Sequence, residues 1–159
     1  MYNYSMSNNP VFNLRPNEKL SVLIVDDEAD IRETIRMFLE MMEIFTFIVE
    51  ASNGAEALQK TQIQKFDLII TDLVMPKMTG ADFVKNYRTY EHRIRCAKET
   101  PIVILSANVT NQELKKAIEF GVKNILTKPC EANQFMNQIQ SVLLKKYKEK
   151  FIFKKAQSA

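Results

Sequence analysis

The sequence predicts an α/β domain in which helices cover both faces of a five-stranded parallel sheet. Short, continuous apolar runs, which suit strands buried on both faces, alternate with segments of helical periodicity. This alternation is typical of βαβ units with right-handed crossovers. The 159 residues, 46% of them apolar and 26% charged, suffice for one domain with a substantial core.

The first unit begins with Ser21–Val25, an apolar run that ends at Asp26 and Asp27. From Glu28 the apolar period becomes that of a helix. One face of this helix carries Ile31, Ile35, Phe38, Leu39 and Met42. The two acids therefore stand at the carboxyl end of the first predicted strand.

The second unit has a strand of β-branched and aromatic residues, Thr46–Val49, followed by a helix after the break at Asn53-Gly54. The third strand, Phe66–Thr71, repeats the first pattern and ends at an acid, Asp72. A loop follows, and the next helix is marked by Phe83, Val84 and Tyr87.

The fourth strand, residues 102–105, is entered through Pro101 and ends at Ser106. The spacing of a capping box in residues 110–113 opens the next helix, and Gly121 ends it. A short fifth strand at Ile125-Leu126 precedes Lys128-Pro129. The last helix has an apolar face made by Phe135, Ile139, Val142 and Leu143. The charged stretch 90–100 is expected to be a surface loop or a helix extension.

The domain organisation follows from composition. Residues 1–19 are rich in Asn, Ser and Pro and are expected to form a flexible leader. Residues 20–146 form the domain, and residues 147–159 form a basic tail that carries the excess of the net charge of +3. The spacing of Leu143, Tyr147 and Phe151 could continue the last helix, either as a solvated helix end or as a docking, dimer or basic-patch surface.

Composition excludes several classes of protein. With 2 Cys and 1 His, neither a disulfide framework nor a zinc site of nitrogen and sulfur ligands is expected. No apolar stretch reaches the length of about 18 residues that a transmembrane helix needs. The N-terminus lacks the features of a secretory signal, so a cytoplasmic protein is expected.

Unusual side chains follow four of the predicted strands directly. They are Asp26, Asp27, Asp72, Ser106 and Lys128. Because ligands of open α/β sheets bind beyond the carboxyl ends of the strands, these side chains are expected to converge. One pair of carboxylates about 4 Å apart costs about 4 kcal/mol at an effective dielectric near ~20. The lysine offsets part of this repulsion, and a divalent cation would offset the rest.

Oxygen ligands without cysteine or histidine favour Mg²⁺, which commonly binds together with a substrate phosphate. A metal ion, a lysine and a hydroxyl group would neutralise and orient a transferring phosphoryl group. The constellation therefore predicts phosphoryl transfer, with Asp72 as the nucleophile that forms an acyl phosphate.

Five sequence stretches occur in order, each at a predicted strand end or turn. They are VLIVDDE (22–28), EASNGAEAL (50–58), FDLIITDLVMPKMTG (66–80), PIVILSA (101–107) and LTKP (126–129). Over roughly residues 20–146 the chain thus resembles the receiver domain of bacterial two-component response regulators, the chemotaxis regulators in particular. The resemblance implies a flavodoxin-like (βα)5 fold with strand order 2-1-3-4-5.

The resemblance also implies a metal site. Asp27 resembles the direct carboxylate ligand of Mg²⁺, and Asp26 resembles its neighbour, which acts largely through water. Asp72 resembles the phospho-acceptor and is itself a ligand. The backbone carbonyl of Val74 would be a further ligand.

Two other residues resemble parts of the phosphoryl site. Ser106 resembles the switch hydroxyl that bonds a phosphoryl oxygen, and Lys128 resembles the lysine that pairs with the phosphoryl group. The peptide bond before Pro129 would be cis, although trans is the commoner state of such bonds.

Partners are implied by the same resemblance. A histidine kinase or a histidine phosphotransfer protein would donate the phosphoryl group. Because few residues follow the domain, we expect a stand-alone receiver that signals by binding a protein through its fourth helix, fifth strand and fifth helix. A homodimer is a further option, and nucleic acid is not expected as a partner.

Three positions depart from the family pattern or tune it. Ile125 stands where an aromatic residue usually couples the switch hydroxyl to the output surface, so the coupling is expected to differ. Val74 and Asn108 flank the phosphoryl site at positions that tune autodephosphorylation. An apolar Val74 cannot orient an attacking water, and we therefore expect a long-lived phosphorylated form.

Two alternative functions remain open at this point. One is an adaptor that works without phosphorylation and keeps a vestigial site, which Ile125 favours and the intact acids, hydroxyl and lysine disfavour. The other is a Mg²⁺-dependent phosphohydrolase with an aspartyl nucleophile. Such enzymes commonly have an acid two residues after the nucleophile, where this chain has Val74, so the proton donor for turnover is missing. The chain is accordingly expected not to be an enzyme.

Overall fold

The computed structural model describes residues 12–107 and 112–153. Its strands are β1 (Phe12–Leu14), β2 (Leu20–Val25), β3 (Phe45–Ala51), β4 (Leu68–Thr71), β5 (Ile102–Ser106), β6 (Asn124–Thr127) and β7 (Phe151–Phe153). Its helices are α1 (Ala29–Met41), α2 (Gly54–Ile63), α3 (Gly80–Arg93), α4 (Gln112–Glu119) and α5 (Ala132–Tyr147), with a 3₁₀ turn at Lys148–Lys150.

The main sheet has five parallel strands in the order β3-β2-β4-β5-β6. Because β1 precedes the first strand of this sheet, this is the predicted order 2-1-3-4-5 with every number raised by one. The predicted α/β class and topology are confirmed.

The core is divided by the sheet into two layers. Along β2, Val22 and Ile24 pack with α1 and α5 on one face, whereas Leu23 and Val25 pack with α2, α3 and α4 on the other. Successive side chains of a strand point to opposite faces, so a strand between two helical layers must be apolar throughout. This explains the continuous apolar runs of the sequence.

The connections lie close to the predicted ones. Helix α3 continues to Arg93, so the charged stretch 90–100 is a helix extension at its start and a loop afterwards. Gly121 follows α4 with a φ of 85°, the left-handed conformation that glycine tolerates best. Thr110 and Asn111 of the predicted capping box lie outside the described residues, as does Asn108.

The two ends of the described chain differ from the expected leader and tail. Strand β1 falls within the expected flexible leader and pairs antiparallel with β7, which falls within the expected tail. Helix α5 ends at Tyr147, so Phe151 does not continue its face. Phe151 is instead buried in the layer of α1 and α5 through a strand, at 1% exposure.

Polar contacts fasten this terminal ribbon, β1 with β7, to the sheet. The Tyr147 hydroxyl donates to the Asp67 carbonyl oxygen at 3.0 Å, and Lys150 Nζ lies 3.6 Å from a carboxylate oxygen of Asp67. Within the ribbon itself, the Arg15 amide, directly after β1, donates at 2.8 Å to the carbonyl of Lys150, directly before β7. Because Asp67 immediately precedes β4, the ribbon lies at the amino ends of the strands. None of the helices in the described ranges has the length and apolar character needed to cross a membrane.

We expect Phe151→Ala to lower the free energy of unfolding by about 3–5 kcal/mol, because it removes a fully buried ring. Chemical denaturation followed by circular dichroism measures the effect. Ile152→Ala is the matched control, since Ile152 is 40% exposed, and should cost under about 1 kcal/mol. If Phe151→Ala costs no more free energy of unfolding than Ile152→Ala, burial of the Phe151 ring does not stabilise the fold.

Candidate functional site

Three acids converge at the carboxyl ends of β2 and β4. Carboxylate oxygens of Asp26, Asp27 and Asp72 all lie within 4.8 Å of one another. The cause is the parallel register, which pairs Val25 with Thr71 and so brings the residues that follow them side by side. The convergence predicted from the strand ends is present.

Asp26 is buried, at 1% exposure, and is held at several atoms. Its Oδ1 accepts the Glu28 amide at 3.0 Å, and its Oδ2 accepts Lys128 Nζ at 2.6 Å. Its own amide donates to the Ala51 carbonyl at 3.1 Å, which ties the residue to the edge strand. These contacts compensate the burial of its charge.

Asp72 is 8% exposed, and its carboxylate lies farther from Lys128 than that of Asp26 does, at 3.6 Å against 2.6 Å. Its amide donates to the Val25 carbonyl at 2.9 Å, and its Oδ1 accepts the Leu73 amide at 2.8 Å. Burial raises the pKa of its carboxyl above the usual value, and the neighbouring Asp26 adds to this effect, while Lys128 opposes it. The ionised form of Asp72 is therefore less favourable here than in water.

Lys128 provides the positive charge of the site. Its Nζ lies 2.6 Å from Asp26 Oδ2, 3.6 Å from Asp72 Oδ2 and 4.0 Å from Glu28 Oε1. Burial disfavours the ammonium form, but the hydrogen bond to Asp26 and the surrounding acids outweigh it and raise the lysine pKa. One ammonium faces three carboxylates, so the cluster as it stands carries excess negative charge.

The remaining predicted residues occupy different surroundings. Ser106 is buried at the end of β5, and its carbonyl accepts the Lys128 amide at 2.8 Å, which brings these two residues together. Val74 is 62% exposed, and Ile125 on β6 is partly buried against the layer of α2, α3 and α4. The peptide bond between Lys128 and Pro129 is cis.

The loop after Asp72 closes back on that residue. The Gly80 amide donates to the Leu73 carbonyl at 2.8 Å. A Cβ at position 80 would lie only 1.9 Å from the Asp72 carbonyl oxygen, so glycine is required there. Gly80 is the first residue of α3, so a displacement of Asp72 would also move the start of that helix.

Two contacts of this region were missed in the sequence. Arg32 Nη1 donates to the Asp26 carbonyl at 2.8 Å, and Arg32 is paired with Glu50. The Thr79 hydroxyl, which caps α3, donates to Glu113 Oε2 of α4 at 2.9 Å. Spacing in the sequence identifies acid–base pairs within one helix, at positions i and i+4. The present contacts join different elements, so no such pattern marks them.

The donor set suits a hard divalent cation. Three carboxylates offer oxygen atoms to one point, and Asp27 is exposed, which leaves the point open to solvent. Mg²⁺ prefers oxygen ligands and usually retains several waters. The residues present therefore fit a Mg²⁺ site that is accessible to solvent.

Comparison with known sequences gives one family. Residues 22–140 match the model of the response regulator receiver domain. The chemotaxis protein CheY of Pseudomonas aeruginosa is 30% identical over 123 residues, 77% of this chain and 95% of that protein. The transcriptional regulatory protein ResD of Bacillus subtilis is 34% identical over 122 residues, 77% of this chain and 47% of that protein. The chain spans between 9% and 54% of the length of three curated relatives, ResD among them.

Comparison with solved structures agrees. The chemotaxis response regulator CheY4 of Vibrio cholerae has a TM-score of 0.69 and 32% identity, and the match covers 79% of this chain and all of that one. A CheX–CheY–BeF3–Mg²⁺ complex from Borrelia burgdorferi contains a chain with a TM-score of 0.68 and 25% identity, covering 78% of this chain and 89% of that one.

We expect Asp72→Asn to stabilise the protein in EDTA at pH 7. The raised pKa means that the ionised carboxylate is less favourable in the folded chain than in the unfolded one, and this cost disappears as the pH falls below the folded pKa. A gain of about 1 kcal/mol, or a rise in Tm of about 2–4 °C, is expected in thermal unfolding.

Mg²⁺ should reverse this order, because a ligand at 100 times its Kd stabilises the wild type by about 2.7 kcal/mol. Asp82→Asn is the control, since Asp82 is exposed and lies outside the cluster. A variant at position 72 that is less stable than the wild type in EDTA would contradict the electrostatic account.

Proposed function

Since this chain belongs to the response regulator receiver family, we propose that it is a phospho-switch in which Asp72 accepts a phosphoryl group. The observation that carries the proposal is the convergence of Asp26, Asp27 and Asp72 beside Lys128 at one edge of the sheet. The receiver unit is proposed to span residues 20–146, with the terminal ribbon as an addition to it.

The reaction is a transfer between two proteins. A carboxylate oxygen of Asp72 attacks the phosphorus of a phosphohistidine on a histidine kinase or phosphotransfer protein. The new oxygen–phosphorus bond forms as the phosphorus–nitrogen bond breaks, and the leaving imidazole takes up a proton. Asp72 then carries an acyl phosphate.

Mg²⁺ would be held by Asp27, Asp72 and the carbonyl of Val74, with Asp26 acting through water. When bound, the ion neutralises charge on the transferring phosphoryl oxygens. Asp26 also holds Lys128 within reach of Asp72, so the acid without direct metal contact still positions the cationic partner.

Lys128 and Ser106 are proposed to receive the phosphoryl group. Lys128 Nζ would exchange part of its contact with Asp26 for a phosphoryl oxygen, because the added group brings about −1.5 to −2 charges. The Ser106 hydroxyl would donate to another phosphoryl oxygen. Asn108 is proposed to tune the lifetime of the product.

The output surface is proposed to be α4, β6 and α5. Ile118 on α4 is 50% exposed and offers an apolar contact for a protein partner. Ile125 cannot swing as an aromatic ring would, whereas the Thr79–Glu113 hydrogen bond joins the loop after Asp72 to α4. We propose that this bond carries part of the signal. A homodimer is an option, and nucleic acid is not proposed as a partner.

Two alternatives would give different chemistry. A phosphorylation-independent adaptor would leave Asp72 unmodified by any donor. A phosphohydrolase would turn over repeatedly, but Val74 offers no acid to protonate a leaving group, so the chain is proposed to be an acceptor and not an enzyme.

We expect stoichiometric labelling when the protein is incubated with a small phosphodonor and Mg²⁺, since Asp72 is the nucleophile. The label should be acid-stable and base-labile, and intact-mass measurement should show one added phosphoryl group. Asp72→Ala should take up none, and EDTA should prevent labelling of the wild type. Labelling of Asp72→Ala at the wild-type level would refute the assignment, absence of labelling would favour the adaptor, and repeated turnover the hydrolase.

The phosphorylated form is expected to persist for minutes or longer in Mg²⁺ buffer, because Val74 cannot orient an attacking water. Decay of the label is followed by intact mass after removal of the donor. Val74→Gln, which adds a polar group, should shorten the lifetime by about 10-fold. Val74→Leu is the apolar control and should leave it within about twofold. Loss of the wild-type label within seconds would contradict this expectation.

A further inference from the structure

We propose that Arg32 is a positioning residue of the cation site, which orients the peptide between Asp26 and Asp27 and thereby sets affinity and selectivity for Mg²⁺. The inference rests on the proposed Mg²⁺ site and adds to it a residue that touches neither the metal nor the phosphoryl group.

Arg32 contacts the site through the backbone. Its Nη1 donates to the Asp26 carbonyl oxygen at 2.8 Å, and its Nε lies 3.2 Å from Glu50 Oε2. The guanidinium thus reaches from the first turns of α1 to the loop that holds the acids. Its side chain is only 17% exposed, so the contact is largely shielded from water.

Glu50 is held from its other side as well. Arg36 Nε lies 2.6 Å from Glu50 Oε1, and Arg36 Nη2 donates to the Ile48 carbonyl at 3.1 Å. Lys60 Nζ donates to the Glu50 carbonyl. Although burial opposes ionisation, the two arginines hold the pKa of Glu50 below its usual value. Arg32 is therefore paired with a carboxylate that is itself held in place on the edge strand β3.

The position of Asp27 depends on backbone contacts, because among the described residues none donates a hydrogen bond to its side chain. Asp26 is tied down at both carboxylate oxygens, whereas the exposed Asp27 carboxylate accepts no hydrogen bond from any of the described residues. Its position depends on the backbone that carries it. The amide of Asp26, in the peptide before it, is held by Ala51, and the carbonyl of Asp26, in the peptide that leads to Asp27, is held by Arg32. The two contacts therefore fix the backbone on both sides of Asp26.

If the peptide between Asp26 and Asp27 is less well fixed, affinity should fall most for the cation that requires the stricter coordination geometry. Mg²⁺ demands near-octahedral coordination at about 2.0–2.1 Å, whereas Ca²⁺ accepts variable coordination at about 2.3–2.6 Å. Loss of Arg32 should therefore weaken Mg²⁺ binding more than Ca²⁺ binding. A purely structural role of Arg32 would lower both affinities together.

The chain offers a matched control in Arg36. Both arginines pair with Glu50, but among the described contacts only Arg32 reaches the Asp26 carbonyl. Arg32→Met and Arg36→Met each remove one guanidinium from the same carboxylate and keep an apolar stem. A difference between them in cation binding reports on the contact with Asp26.

The test is titration of the unphosphorylated protein with MgCl2 and with CaCl2, followed by ¹H–¹⁵N NMR shifts, with Tm measured in EDTA. We expect the Mg²⁺ Kd of Arg32→Met to rise about 10-fold and its Ca²⁺ Kd to change less than about threefold. Arg36→Met should stay within about twofold for both ions. Arg32→Lys, which can still donate to the carbonyl, should recover part of the Mg²⁺ affinity and serves if Arg32→Met does not fold.

The outcomes separate this inference from the proposed function. If the wild type binds Mg²⁺ and Asp27→Asn does not, the site stands. The positioning role is then refuted if Arg32→Met binds Mg²⁺ like the wild type, loses both cations equally, or behaves like Arg36→Met. If the wild type itself fails to bind Mg²⁺, the proposed site is wrong and the inference falls with it.

Discussion

Everything at this rim of the sheet depends on crowding of negative charge. Asp26, Asp27 and Asp72 meet because parallel strands bring their carboxyl ends to one edge, and the register pairs Val25 with Thr71 directly before the acids. Lys128 relieves only part of the repulsion, and its ammonium group lies closer to Asp26 than to Asp72. Asp72 therefore keeps negative charge that Lys128 compensates only in part, and a divalent cation bound between the carboxylates would neutralise it.

Much of this arrangement could be predicted from the sequence, because it follows from the period of the chain. A continuous apolar run predicts a strand covered on both faces, and the residue after the run must then lie at the functional edge. That argument alone predicts that Asp26, Asp72, Ser106 and Lys128 lie at one edge, without the family resemblance. Their convergence needed no knowledge of side-chain conformation, only of strand direction and order.

Other parts could not be predicted, since they depend on contacts that periodicity does not encode. Arg32 and Glu50 read as ordinary surface charges until α1 and β3 are placed side by side. Phe151 continues the apolar spacing of α5, so the sequence indicates a longer helix, and this prediction is wrong. The backbone leaves the helix at Tyr147, with φ of −132° and ψ of 37°, and Phe151 reaches the core through a strand instead.

The terminal ribbon also makes the chain suitable for circular permutation. Residues 12 and 153 are Cα partners at the rim opposite the acids, so a short linker between them would close the polypeptide into a ring. Reopening that ring in the exposed loop near Arg95, between α3 and β5, would yield a circular permutant with every sheet strand intact. Ser106 and Lys128 would then emerge before the three acids during synthesis, while the final meeting point of these side chains would stay the same.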